Sequence, residues 1–108
     1  MNRGELWTVS GGVYAAKPRP AIIIQDDLFA ATSSVTIVPL TTTVADAPIA
    51  RIAVPANATT MIAQQSFAMI DKLTTVRRTS LGERVGRVPT TLMADIERSI
   101  MVFLGLVS

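Results

Sequence analysis

Neither cysteine nor histidine occurs among the 108 residues, and these two absences remove most familiar catalytic machinery. Without cysteine there is no disulfide framework and no thiolate nucleophile, which fits a reducing compartment. Without histidine, triads built on it, His/Cys zinc sites and paired-imidazole chemistry are excluded. Aromatics are scarce, with one Trp, one Tyr and three Phe, so the core must be built from Ile, Val, Leu, Met and Ala. No run approaches the roughly 18 apolar residues that a membrane span needs. The short apolar patch after Met1-Asn2-Arg3-Gly4-Glu5 does not read as a signal peptide. The expectation is a cytoplasmic protein with no membrane partner.

What is present is an oily chain, 49% apolar and 17% charged, long enough for one modest core. It reads as a single domain over residues 1–108, with some apolar surface covered by a partner subunit. The net charge of +2 is unevenly placed. Residues 1–70 balance four basic groups against four acidic ones, whereas residues 72–87 carry Lys72, Arg77, Arg78, Arg84 and Arg87 against Glu83 alone. Such a stretch suits a phosphate-facing surface, or simply a solvated face.

The pattern predicts a mainly β chain with a C-terminal helix. Strands are expected at Glu5–Val9, Ala21–Gln25, Val35–Leu40, Ile49–Val54, Ser66–Val76 and Glu83–Val88. Pro39 argues for an edge or a bulge in the third of these. Ser10 to Pro18 reads as a mobile loop and Asp46-Ala47-Pro48 as a turn. Asn57-Ala58-Thr59 is a chance sequon. Leu92, Ile96, Ile100 and Phe103 form a helical stripe, with Thr90 or Thr91 as its cap and Gly105 as its stop. Short strands followed by one helix describe a strongly bent sheet or a partly closed barrel.

The stretch Lys17-Pro18-Arg19-Pro20-Ala21-Ile22-Ile23-Ile24-Gln25-Asp26-Asp27 concentrates the candidate chemistry. Pro18 and Pro20 fix their own φ and push Lys17 and Arg19 toward extended backbone, so Arg19 is presented stiffly. The other polar candidates are Thr41 to Thr43, Asp26, Asp27, Asp71, Lys72, Thr74 and the later arginines. An arginine beside a hydroxyl can hold a phosphodiester and stabilise the charge that develops as phosphorus becomes five-coordinate. RNA would supply its own nucleophile, the 2′-hydroxyl. Asp26-Asp27 reads as a solvated turn, and no metal or other cofactor is expected.

Several of these segments, in order, resemble the MazF/PemK family of toxins from bacterial toxin–antitoxin modules. They are Arg3-Gly4-Glu5-Leu6-Trp7, Arg19-Pro20 with its apolar run, Val35-Thr36-Ile37-Val38-Pro39-Leu40-Thr41, the Ser66–Leu81 region with Asp71-Lys72-Leu73-Thr74-Thr75-Val76, and Leu104-Gly105-Leu106. The resemblance implies an SH3-like β-barrel with a terminal helix, assembled as a homodimer. It implies a sequence-specific, metal-independent endoribonuclease that cuts single-stranded RNA, messenger RNA foremost. The 2′-hydroxyl would attack, leaving 2′,3′-cyclic phosphate and 5′-hydroxyl ends, and a cognate antitoxin would neutralise the activity. Arg19 and Thr41 match the family's catalytic arginine and threonine, and the Ser10–Pro18 loop would grip substrate and be displaced by antitoxin.

Many members carry glutamine and arginine where this chain has Lys72 and Thr74, so base recognition is expected to differ. The expected RNA contacts are Lys17, Arg51, Lys72, Thr74, Arg77, Arg78, Arg84 and Arg87. Two other readings come from different classes. One is a gyrase-binding toxin of the same fold, against which stands the Phe103-Leu104-Gly105-Leu106 ending with no terminal indole. The other is a degenerate SH3-like binding module, for which replacing Arg19 would change little.

Overall fold

Ala21, Ile22 and Ile23 are all buried, as befits a strand whose two faces are both covered. In the computed structural model, which describes residues 1–11, 15–44 and 50–108, this strand lies inside a seven-stranded antiparallel sheet. The strands are β1 (Glu5–Gly11), β2 (Ala15–Ile23), β3 (Ser34–Thr41), β4 (Arg51–Val54), β5 (Ser66–Met69), β6 (Thr74–Arg77) and β7 (Leu81–Arg87), followed by one helix, α1 (Thr90–Phe103). Ser10, Gly11 and Ala15–Pro18, expected in a loop, are instead strand, and Gly11 pairs with Ala15. Residues 12–14 of that loop lie outside the described residues, as do the Asp46-Ala47-Pro48 turn and Ile49 of the fourth expected strand.

β3 is the hub rather than an edge. It pairs with β2 on one side and, on the other, with β6 through residues 34–37 and with β5 through residues 40–41. Val38 and Pro39 fall between those two partners, so the missing N–H of Pro39 leaves no ladder bond unmade. The expected long strand Ser66–Val76 breaks there into β5, a 3-10 turn at Ile70–Lys72, and β6. The polar pair Asp71-Lys72 marks the break.

The expected barrel is not formed. The strand order runs β4-β5-β3-β2-β1-β7, with β6 on the flank of β3, and β4 does not pair with β7. Pro55, which carries no N–H, follows β4 directly and turns the chain away. The gap is spanned by the Asn57–Thr60 turn, from which a single bond, Arg87 N–H to the Thr59 carbonyl at 3.0 Å, reaches β7. Asn57 Oδ1 accepts the N–H groups of Thr59 and Thr60, so Asn57, the first residue of the sequon, caps this turn.

Two apolar clusters lie on opposite faces of the sheet. Leu6, Ile22, Val38, Leu40, Ile70 and Val88 face Met93 and Ile96 of the helix, and burying Ile96 fully contributes about 1.5–3 kcal/mol. Val9, Ala21, Ile23, Val35 and Ile37 form the second cluster. Pro89 rather than Thr90 or Thr91 occupies the N-cap. Gly105, at φ +76°, ends the helix as expected, with its N–H on Val102 and that of Leu106 on Met101, a left-handed C-terminal cap. Phe103 departs from the expected buried stripe and is 48% exposed.

Glu5 ties β1 to β7. Partial burial pushes its carboxyl pKa up, but bonds from the Asn2 N–H, the Trp7 indole and Arg84 outweigh this and hold it at about 2. A carboxyl lowered from 4.5 contributes stability above that value and loses it as pH falls toward 2. Glu5→Gln should therefore cost about 1–2 kcal/mol at neutral pH and flatten the loss of stability over that acid window. Urea unfolding at neutral pH and at about pH 3 checks both, and an unchanged acid slope would dismiss the assignment.

Candidate active site

The β2–β3 register pairs Ala21 with Pro39, Ile22 with Val38 and Ile23 with Ile37. Carried two residues further, it sets Arg19 across from Thr41 on the same face of the sheet, because side chains repeat every second residue. The pairing stops before that step, and the strands open into a cleft of about 290 Å³. Arg19, Leu40, Thr41, Thr43, Met69 and Lys72 line it. Arg19 is held by its pairing with Val9 of β1 and its side chain is exposed. Arg19 and Pro20 pair with β1 alone, and Lys17 and Pro18 fall at the register shift between Val9 and Gly11, so the flanking prolines sit where a missing donor is tolerated.

Thr41 is half-buried, and its Oγ1 accepts the Thr43 N–H at 3.1 Å. That bond occupies a lone pair and leaves the hydroxyl proton available for an acceptor. Lys72 enters from the 3-10 turn between β5 and β6. The turn is fixed by Ile70 N–H to the Ala50 carbonyl at 2.9 Å and by an ion pair between Arg51 and Asp71. Two cations and a hydroxyl donor thus converge on one cleft with an apolar floor. Such a set can bind an oxyanion and stabilise growing negative charge on it.

The other expected site residues are dispersed. Lys17 is exposed on β2 beside Arg19 and lines a second, adjoining cleft. Arg51 is turned toward Asp71, with only 14% of its side chain exposed. Thr74 pairs with Ile37, roughly 13 Å along β3 from Thr41. Arg77 pairs with Ser34, roughly 23 Å from Thr41 at the far end of that strand. Arg78 donates to the Ala30 and Thr32 carbonyls, closing the connection between β2 and β3. Arg84 is bound to Glu5 at 2.9 Å, and Arg87 lies opposite Glu5. The basic stretch is therefore not one continuous face.

Asp26 and Asp27 act locally, Asp26 accepting the Leu28 N–H and Asp27 the Arg3 N–H. Among the described residues no three acidic, His or Cys side chains cluster as metal ligands do, and no helix is long and apolar enough to cross a membrane. Sequence reasoning passed over Gln64, which lines the second cleft. It sits in an irregular loop, where no periodicity or motif marks it.

Fold and cleft together define a small antiparallel-sheet protein in which an arginine, a threonine and a lysine line one cleft. The family model described as PemK-like, MazF-like toxin of type II toxin–antitoxin system matches residues 2–104. Over 107 residues the chain is 50% identical to the probable endoribonuclease MazF of Mycolicibacterium smegmatis, covering 98% of each chain. It is 31% identical over 115 residues to the endoribonuclease MazF6 of Mycobacterium tuberculosis, again covering 98% of each. The fold is similar to that of a mycobacterial endoribonuclease solved in complex with its cognate antitoxin. That match has a TM-score of 0.82 at 22% identity, over 100% of this chain and 98% of the other. The chain belongs to the PemK-like, MazF-like toxins of type II toxin–antitoxin systems.

Proposed function

We propose that the chain is a sequence-specific, metal-independent endoribonuclease toxin and that Arg19 and Thr41 hold its scissile phosphate. The observation that carries this reading is the convergence of Arg19, Thr41 and Lys72 on one cleft in a chain of this family. The substrate is single-stranded RNA, messenger RNA foremost, because bases beside the cut must be unstacked to be read. The 2′-hydroxyl attacks phosphorus and gives its proton to water, and the bond to the 5′-oxygen breaks as that oxygen takes a proton from water, giving a 2′,3′-cyclic phosphate and a 5′-hydroxyl. Arg19 engages the non-bridging oxygens through its fork of donors, and Thr41 donates its hydroxyl proton to one of them. Lys72 supplies the second cation, on phosphate rather than on a base.

A cognate antitoxin neutralises the protein, and relatives of this fold have been solved with theirs. The toxin works in the cytoplasm as a homodimer, for which the exposed apolar end of α1, Phe103 and Leu104 with Leu106 beyond it, offers surface. Incubating the antitoxin-free protein with long single-stranded RNA in the presence of a chelator tests the activity. Discrete cuts with cyclic-phosphate ends are expected, and their absence from a folded preparation would overturn it.

The positions of the basic residues make a second expectation. Lys72→Ala should slow cutting at every site by roughly 10- to 100-fold, as loss of one charge-stabilising donor does. Arg77→Ala, at the opposite end of β3, should leave rates within about twofold. Single-turnover rates on one short RNA decide between them. Equal effects from the two substitutions would remove Lys72 from the cleft's chemistry.

A further inference from the structure

Arg19 also walls the second cleft, of about 320 Å³, between β2 and the segment leading into β5. We infer that this cleft holds the base of the nucleotide adjoining the scissile phosphate and that the Gln64 amide reads it. The inference rests on the phosphodiester reading of the first cleft, since Arg19 lines both clefts and a phosphate held there adjoins the second. Its volume lies at the small end of pockets that enclose small molecules, roughly 300–1,000 Å³. Pro18, Pro20 and Ile62 give it apolar walls, with Ile62 nearly fully buried beneath. Apolar walls with a few convergent polar groups are what a flat, unpaired base requires.

Gln64 is exposed and lines the cleft, and its side-chain amide bonds to none of the described residues. An amide presents an acceptor beside a donor, the complement of a base edge that carries both. Its backbone is held in place, because the Ser66 hydroxyl donates to the Gln64 carbonyl at 3.1 Å. The segment before it is equally fixed. Thr60, fully buried, donates its hydroxyl to the Pro55 carbonyl at 2.7 Å, and its N–H goes to Asn57 Oδ1 at 3.0 Å. Met61 then adopts φ 55°, a left-handed conformation unusual for a side chain of its size. That turn directs Ile62 to Gln64 over β2. Uncommon backbone geometry held by surrounding bonds is the mark of a preorganised binding segment.

The test compares the protein with its Gln64→Ala and Gln64→Glu variants on short single-stranded RNAs, each varying one base beside the cut. Gln64→Ala should lower discrimination at one adjoining position by roughly tenfold, the effect of losing a paired amide–base contact. Gln64→Glu, an acceptor without a donor, should re-rank the bases toward those bearing an amino group. A purely structural role would slow all substrates alike and leave the ranking untouched. The same ranking is read from fluorescence anisotropy with 2′-fluoro strands, which lack the nucleophile and cannot be cut. Unchanged ranking for both variants in both assays overturns the inference. Position-specific binding of the 2′-fluoro strands that Gln64→Ala abolishes, with no cutting of RNA by the unmodified protein, sinks the nuclease reading and leaves the base subsite standing.

Discussion

Arg19→Ala is expected to lower RNA cleavage by roughly 10³-fold or more, the range seen when an enzyme loses the group that stabilises transition-state charge on phosphorus. Stability should stay within about 0.5 kcal/mol of the unmodified protein, because the Arg19 side chain is exposed and its removal strands no buried partner. The separation of effects is the informative part. Its backbone carries the β1–β2 pairing with Val9, and that pairing does not depend on the side chain. Arg19→Lys should restore only a fraction of the rate, since an ammonium keeps the charge but not the planar fork. Thr41→Ser should retain activity through its hydroxyl, whereas Thr41→Val should lose it. Rates under chelation, with analysis of fragment ends, check all four variants. If Arg19→Ala cuts within threefold of the unmodified protein, the scissile phosphate does not sit at Arg19, and a non-catalytic binding role gains the ground.

The sequence makes strand positions legible where burial is continuous, and less so where tertiary pairing decides. Ala21–Ile23 and Val35–Leu40 stand out because every residue in them is apolar or β-branched, and both are central strands. Gly11-Gly12 and the two prolines suggest a loop, yet Gly11 pairs with Ala15, and Arg19 and Pro20 pair with Val9 and Thr8 of β1. A hairpin flank with one free side tolerates residues that a central strand would reject. The barrel fails for a similar reason, since whether β4 meets β7 depends on the path of the Pro55–Thr60 segment and not on any strand's own pattern. The juxtaposition of Arg19 and Thr41 follows from the β2–β3 register, which motif order hints at and composition does not. The roles of Arg51 and Arg78 were not legible at all. Their partners, Asp71 and the Ala30 and Thr32 carbonyls, are distant in sequence, and a charge count cannot distinguish an arginine that closes a loop from one that faces solvent.

Gly86→Ala is expected to destabilise the protein by about 3 kcal/mol or more, beyond the usual range for a surface substitution. A Cβ at this position would lie 2.1 Å from the Thr60 carbonyl oxygen and 2.8 Å from that of Thr59. Both are backbone atoms, and neither side can yield easily. Pairing of Leu6 with Gly86 and of Glu5 with Arg87 holds β7, while Asn57 and the Thr60 hydroxyl bond hold the turn. Relief therefore requires the turn to leave β7, breaking the Arg87 to Thr59 bond and exposing buried Thr60 and Ile62. Gly82→Ala is the matched control. Its Cβ would meet the Thr8 hydroxyl at 2.5 Å, a side-chain end that can rotate away at the expense of its bond to the Glu83 N–H, so a loss of about 1 kcal/mol is expected. Because the displaced turn leads into Gln64, Gly86→Ala should also erode discrimination among bases more than it slows cutting of the preferred RNA. Urea midpoints for the two alanine variants, with cleavage measured where both remain folded, test this. A Gly86→Ala protein as stable as Gly82→Ala would mean that the turn does not brace the open edge of the sheet, and Gln64 would then owe its position to β5 alone.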